Sequence, residues 1–200
     1  MDIAEKLSEK CTSFIKDNTN KTETELEKIQ YGIHVILINI FKLILLFLTA
    51  YFLGILNYTI VAYVSFATLR SFANGIHADS SIKCIITNYI IFFGNVYLSL
   101  NFSLKKAHVA TIFVISLILI ILYAPADTEE RPLMSKNLRD KLKVKSILIV
   151  LGFGIVTLLL PGSVYTNLIT YSTLQESILI TPMIYIIFGK KYKNYERIKI

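Results

Sequence analysis

Several stretches of this chain are apolar for long enough to cross a bilayer, and that limits its fold more than any other feature. A hydrocarbon core of about 30 Å takes roughly 20 helical residues. Six blocks approach that length: about 33–53, 57–69, 84–100, 108–124, 146–160 and 165–188. The second and fifth are short, so they tilt, begin earlier or enter without crossing fully. Over all 200 residues the hydrophobic share is 54% and the mean hydropathy +0.58, too apolar for a domain whose polar faces must meet water. The expected fold class is therefore all-α: a polytopic membrane bundle of about six transmembrane helices. Gly, Asn and Pro in "LGILN" (53–57) and "LPGSV" (160–164) break helices, and each break makes a helical hairpin.

Charge orients the bundle. Lys and Arg number five in the N-terminal segment, two in 70–83, six in 125–145 and five in the tail, a total of 18. With six spans all of these share one side, and Lys105 and Lys106 face the other. The positive-inside rule puts the 18 in the cytoplasm, together with both termini. Excess basic charge in such a chain marks cytoplasmic loops rather than nucleic-acid binding.

Residues 1–30 hold twelve charges and no continuous apolar region, so no secretory leader is expected. Ile3, Leu7, Cys11 and Phe14 recur near helical spacing, which predicts an amphipathic helix at the membrane interface. The domain organisation read from these patterns is a cytoplasmic amphipathic segment (1–30), a transmembrane catalytic domain (31–189) and a basic cytoplasmic tail (190–200). Cys11 and Cys84 are too few for a disulfide framework and have no zinc-type spacing, so both are expected as free thiols, with no metal and no cofactor.

"LRSFANGIHADSSIKC" (69–84) gathers reactive side chains between two apolar blocks. A neutral imidazole that takes a thiol proton makes a thiolate able to attack a carbonyl, and His77 and Cys84 can form that pair. In one straight helix they would sit about 10 Å apart along the axis, too far for a hydrogen bond. The helix must break between them. Asp79, Ser80 and Ser81 are N-cap types, and with Ser81 capping, Cys84 is the third residue of a new helix. There its sulfur meets unpaired backbone N–H groups and the positive end of the helix dipole, which favour thiolate and can stabilise an oxyanion. Gly75 lets the chain turn and a substrate backbone approach. Arg70 either binds a substrate carboxylate or oxyanion, or anchors the end of its span. Asp79 is read as a cap rather than as a third catalytic member. Taken alone, the His–Cys pair also fits a packed cysteine and an interfacial histidine.

The arginine, the glycine, the His-Ala and the cysteine seven residues after the histidine resemble the signature of the accessory gene regulator B (AgrB) family. "YAPADTEERPL" (123–133) is similar to that family's proline-containing cytoplasmic loop, and the likeness extends over essentially the whole chain. Asn74 departs from it, since members often carry a second glycine there. The resemblance implies a membrane-embedded cysteine endopeptidase of Gram-positive quorum sensing, in the cell membrane. Such an enzyme removes the C-terminal tail of an AgrD-type propeptide, holds the remainder as a thioester and assists its cyclisation to a thiolactone or lactone. His77 is then the general base and Cys84 the nucleophile, with Arg70, Gly75 and Ser81 as candidates for substrate or oxyanion binding. The expected partners are the propeptide, the lipid bilayer and a second copy of the chain in a homodimer, with no nucleic acid. A rival reading of six spans and intramembrane charge is a small peptide transporter without proteolytic chemistry.

Two charges fall deep in the predicted spans, Lys42 and Glu176, at similar depth from the cytoplasmic side. An unpaired charge there costs at least about 2.5 kcal/mol, so they are expected to pair. His34 and His108 lie at span ends and read as interfacial. Residues 127–131 read either as a solvated turn or as a contact for the propeptide's charged tail.

Overall fold

The computed structural model describes residues 3–19, 21–76, 81–129 and 131–197, and among them finds nine helices and no strand. The chain divides into two compact units, 1–52 and 53–200.

In the first unit α1 (Ile3–Asn18) packs on α2 (Glu23–Phe52). Small polar side chains, Ser8 and Thr12, are buried in α1, whereas Leu7 and Phe14 stay exposed at 45% and 70%. The apolar stripe of α1 therefore lies on its outer face, as an interfacial helix requires. Thr22 opens α2, its backbone N–H and hydroxyl both donating to Glu25 (2.9 and 3.0 Å). An ion pair of 2.9 Å joins Lys16 to Glu23 across the turn. The expected boundary at residue 30 falls inside α2, which runs unbroken because no proline interrupts it and a single internal glycine is tolerated in a helix.

The second unit comprises α3 (Leu56–Ala73), α4 (Ser81–Asn101), α5 (Lys106–Tyr123), α6 (Lys136–Leu159), α7 (Val164–Leu179), α8 (Pro182–Ile187) and α9 (Asn194–Arg197). The expected breaks both appear. Gly54 turns the chain with φ +70°, and Ser163 caps α7 in a reciprocal pair with Thr166.

Among the described residues, four helices are long and apolar enough to cross a membrane: α2, α4 from Ile82, α5 and α6. The second and sixth expected spans, α3 and α7, are less apolar or shorter than these four. Helix α3 carries Arg70 near its end. Helix α7 has only 16 residues, about 24 Å of rise, and the sixth block breaks at Thr181–Pro182 before α8. α7 is the centre of the unit, packed by α3, α4, α5 and α6. Thr170, Ser172, Thr173, Glu176 and Ser177 along it are fully buried. A helix so surrounded need not be apolar to be stable, provided its polar groups find partners. They do: Asn95 of α4 donates to the Leu168 carbonyl and to Ser172 (3.2 and 2.8 Å), Asn167 to the Ser99 and Phe102 carbonyls, and Ser172 to the Ala62 carbonyl. The loop expected at 125–145 is also shorter. Ser135 caps α6 by accepting from the Leu138 N–H, so the basic residues from Lys136 onward ride on the helix.

Candidate active site

The site is assembled where α3 ends and α4 begins. Helix α3 closes at Ala73, and the next two residues both take positive φ, Asn74 at 58° and Gly75 at 127°. The chain thereby turns sharply, and Ile76 is buried beyond it. His77 and Asp79, the expected base and cap, lie outside the described residues, as does the side chain of Ser81. Helix α4 starts at Ser81 itself, so Cys84 is its fourth residue, one later than capping by Ser81 would give. It still sits in the first turn.

Cys84 is a half-buried free thiol on a cleft of about 160 Å³, below the several hundred usual for small-molecule pockets. Ile76, Phe66, Leu179 and Phe188 give the cleft apolar walls, and Arg70 and Asn88 add polar groups. Asn88, one turn further along α4, directs its amide nitrogen at the Cys84 sulfur, 4.0 Å away. Side chains four apart on a helix share a face and lean toward its N-terminus, which aims Asn88 back at the thiol. The spacing was readable in the sequence. Its meaning depends on the helix beginning at Ser81.

Arg70 is held from two sides. Nη1 donates to both carboxylate oxygens of Glu176, at 3.2 and 3.5 Å, and Nη2 donates to the Ile76 carbonyl. The Glu176 side chain is fully buried and that of Arg70 is 21% exposed. Glu176 was expected to pair with Lys42; its partner is Arg70. The expected second span stopped at residue 69 and left Arg70 outside, but α3 continues to Ala73 and carries the guanidinium into the bundle. Arg70 thus ties the turn before His77 to the central helix.

The geometry also accounts for Gly75. A Cβ there would lie 2.6 Å from Arg70 Nη1 and 3.3 Å from Cζ, at a φ that L side chains rarely adopt. The glycine is needed so that the guanidinium can pass over the turn.

The same turn is braced by residues 123–133. Ala126 N–H donates to the Ala73 carbonyl at 2.9 Å, and Asn74 and Ala126 form an isolated parallel bridge. Asp127 is buried, so at this position the first of the two readings of 127–131, a solvated turn, does not hold. Its carboxylate accepts the backbone N–H groups of Asn194 and Tyr195 (2.9 and 2.8 Å), and its carbonyl accepts the Tyr185 hydroxyl at 2.7 Å. Nearby, burial together with Tyr195 and Tyr123 pushes the Tyr192 hydroxyl up to about 12. Of the remaining loop charges Glu129 and Arg131 are exposed, and Glu129 pairs with Lys191 at 3.6 Å. No group of three or more His, Cys, Asp or Glu that could hold a metal occurs among the described residues.

No solved structure matches the chain. An AgrB-like protein of Clostridium acetobutylicum is 36% identical over 96% of this chain and 92% of its own length, and one of Listeria innocua is 31% identical over 96% and 95%. The accessory gene regulator protein B of Staphylococcus intermedius is 29% identical over 88% of this chain and 92% of its own. The family model described as accessory gene regulator B matches residues 8–180, a stretch that holds the α3–α4 turn, Cys84 and Glu176, and the chain therefore belongs to the accessory gene regulator B family.

Proposed function

We propose that this chain is a membrane-embedded cysteine endopeptidase that trims and cyclises an AgrD-type propeptide. The observation that carries the reading is Cys84 in the first turn of α4, facing a narrow cleft beside Asn88 and Arg70, in a chain of this family. The thiol proton passes to His77, and the Cys84 sulfur attacks the scissile carbonyl carbon. The tetrahedral intermediate collapses as the C–N bond breaks, and the proton leaves with the amine of the departing C-terminal tail. The acyl group remains on sulfur as a thioester. An internal Cys or Ser of the bound peptide then displaces Cys84, which closes the ring and frees the enzyme. Water competes for the same thioester, and an apolar cleft at a membrane surface slows that side reaction. Both termini and the Cys84 end of the bundle face the cytoplasm in this reading, supported by the distribution of Lys and Arg.

The test uses the purified chain in lipid vesicles with a synthetic propeptide, read by mass spectrometry. The expected result is release of the C-terminal tail and a peptide adduct on Cys84, both lost in Cys84→Ser and His77→Ala with insertion unchanged. Cys11→Ser should behave as the parent. Substantial cleavage by either active-site variant would overturn the proposal, and substrate transport surviving Cys84→Ala would favour an exporter.

A further inference from the structure

The basic C-terminal segment is not a loose tail. Its backbone is gripped at Asn194 and Tyr195 by the two oxygens of the buried Asp127 carboxylate. Around this grip the Tyr192 ring packs edge-on to Tyr185 at 5.2 Å and to Tyr123 at 6.4 Å. Arg139 of α6 covers the Tyr195 ring at 4.0 Å while donating to the Leu133 and Met134 carbonyls. Lys193 takes a φ of 55°, which turns the chain so that the next two N–H groups meet the carboxylate.

Both oxygens of Asp127 are occupied by the tail, and its own carbonyl by Tyr185. That engagement leaves the residue unsuited to receive a charged peptide. The next residue back in the chain, Ala126, bonds to the Ala73 carbonyl at the root of the turn. The segment that leads into His77 is thus held at two carbonyls three residues apart: Ala73 by the Ala126 N–H, and Ile76 by Arg70. Two fixed points hold the turn from Ala73 to Ile76. One hangs from α7 through Glu176, and the other from the C-terminal tail through Asp127.

We propose that the C-terminal tail is a working part of the active site, and that Asp127 is a positioning residue which holds the turn before His77 by clamping the tail to residues 124–127. This rests on the reading of His77 and Cys84 as the catalytic pair. A general base must come within hydrogen-bond reach of the proton it takes, and a displacement of about 1 Å can cost about a hundredfold in rate. Loss of the clamp therefore lowers turnover. Of the cleft's lining only Ile76 belongs to the clamped turn, the rest coming from α3, α4, Leu179 and Phe188, so substrate affinity changes far less than turnover.

The test compares three full-length variants in vesicles: Asp127→Ala, Asp127→Asn, which keeps one acceptor oxygen, and Asn194→Pro, which removes one gripped N–H and leaves Asp127 intact. Propeptide cleavage gives kcat and KM. Alkylation of Cys84 by iodoacetamide reports whether the thiol is still presented, and thermal unfolding reports the folded fraction. Asp127→Ala and Asn194→Pro should lower kcat by about a hundredfold with a much smaller change in KM and an unchanged alkylation rate, and Asp127→Asn should fall between them and the parent. Parental kcat in Asp127→Ala or Asn194→Pro would overturn the proposal. So would activity losses that merely track the unfolded fraction, or a failure of all three variants to fold, since the tail would then be a stability element. Cys84→Ala is run alongside: cleavage surviving there would instead refute the protease reading.

Discussion

Gly75→Ala probes the packing of the α3–α4 turn most directly, because two separate penalties can be told apart. The backbone penalty comes from φ +127°, where a non-glycine residue costs about 1–3 kcal/mol. Alanine recovers about 0.4–1 kcal/mol of that by restricting the unfolded chain, leaving roughly 0–2.5 kcal/mol. The steric penalty comes from Arg70, whose Nη1 would sit 2.6 Å from the new Cβ. A free arginine would swing aside. This one is pinned to Glu176 and to the Ile76 carbonyl, so moving it breaks a charge-assisted hydrogen bond worth about 1.5–3 kcal/mol. The expected total is roughly 1.5–5.5 kcal/mol by those principles. In an Arg70→Met background the steric part disappears and the backbone part remains, so the two substitutions should couple by about 1.5–3 kcal/mol. Equilibrium unfolding of the four proteins in detergent micelles measures this cycle. Equal losses for Gly75→Ala in both backgrounds would refute the argument that the glycine makes room for the guanidinium.

Glu176→Gln leaves the Arg70 charge unneutralised inside the bundle and should cost about 3 kcal/mol, the lower end for a buried pair because Arg70 is 21% exposed; Arg70→Met with Glu176→Leu should recover most of the loss, and losses that simply add would argue against the pair. Asn74→Gly should stabilise the fold by about 1 kcal/mol, since φ 58° with ψ −145° is a glycine conformation; a lower melting temperature would contradict that backbone geometry. Asn88→Ala should lower kcat for propeptide cleavage about tenfold with KM unchanged, by removing a donor beside the Cys84 sulfur, and an unaltered kcat would dismiss that contact. In a background without native cysteines, single cysteines at Asn101 or Ser103 should react with an impermeant reagent added outside cells, while positions 125–145 and the C-terminus should not; outside labelling of 125–145 would reverse the proposed orientation.

What the sequence made legible were features that depend on near neighbours. The apolar blocks, the helix breaks at 53–57 and 160–164, and the placing of Cys84 in a first turn all follow from local periodicity and capping. Helix α7 reads as one more apolar span because hydropathy averages over a helix without regard to what surrounds it. Its Thr, Ser, Asn and Glu residues are tolerable only because four neighbouring helices enclose them, and that enclosure is a long-range fact. The start of α6 was missed for the converse reason. A run of lysines looks like a loop by hydropathy, yet Lys has good helix propensity, and the Ser135 cap was there to be read.

The charges show the limit most clearly. Glu176 was correctly seen to need a partner, since a lone carboxylate in the bundle is costly. The choice of Lys42 came from matching depths along predicted spans, a criterion that ignores which helices adjoin. Arg70 lay one residue past a predicted boundary, and an error of that size moved it from the bundle to the surface. Gly75 was read for its flexibility and Arg70 for its charge, each as a separate candidate. In the fold each explains the other: the arginine crosses the turn to reach Glu176, and only a residue without a side chain lets it pass. Asp127, next to the residue that bonds Ala73, repeats the pattern. A carboxylate in a charged loop looks solvated until the tail, 67 residues further on, is seen to return and fill it. Local sequence thus names the reactive residue, and the contacts that aim the turn beside it come from parts of the chain more than fifty residues away.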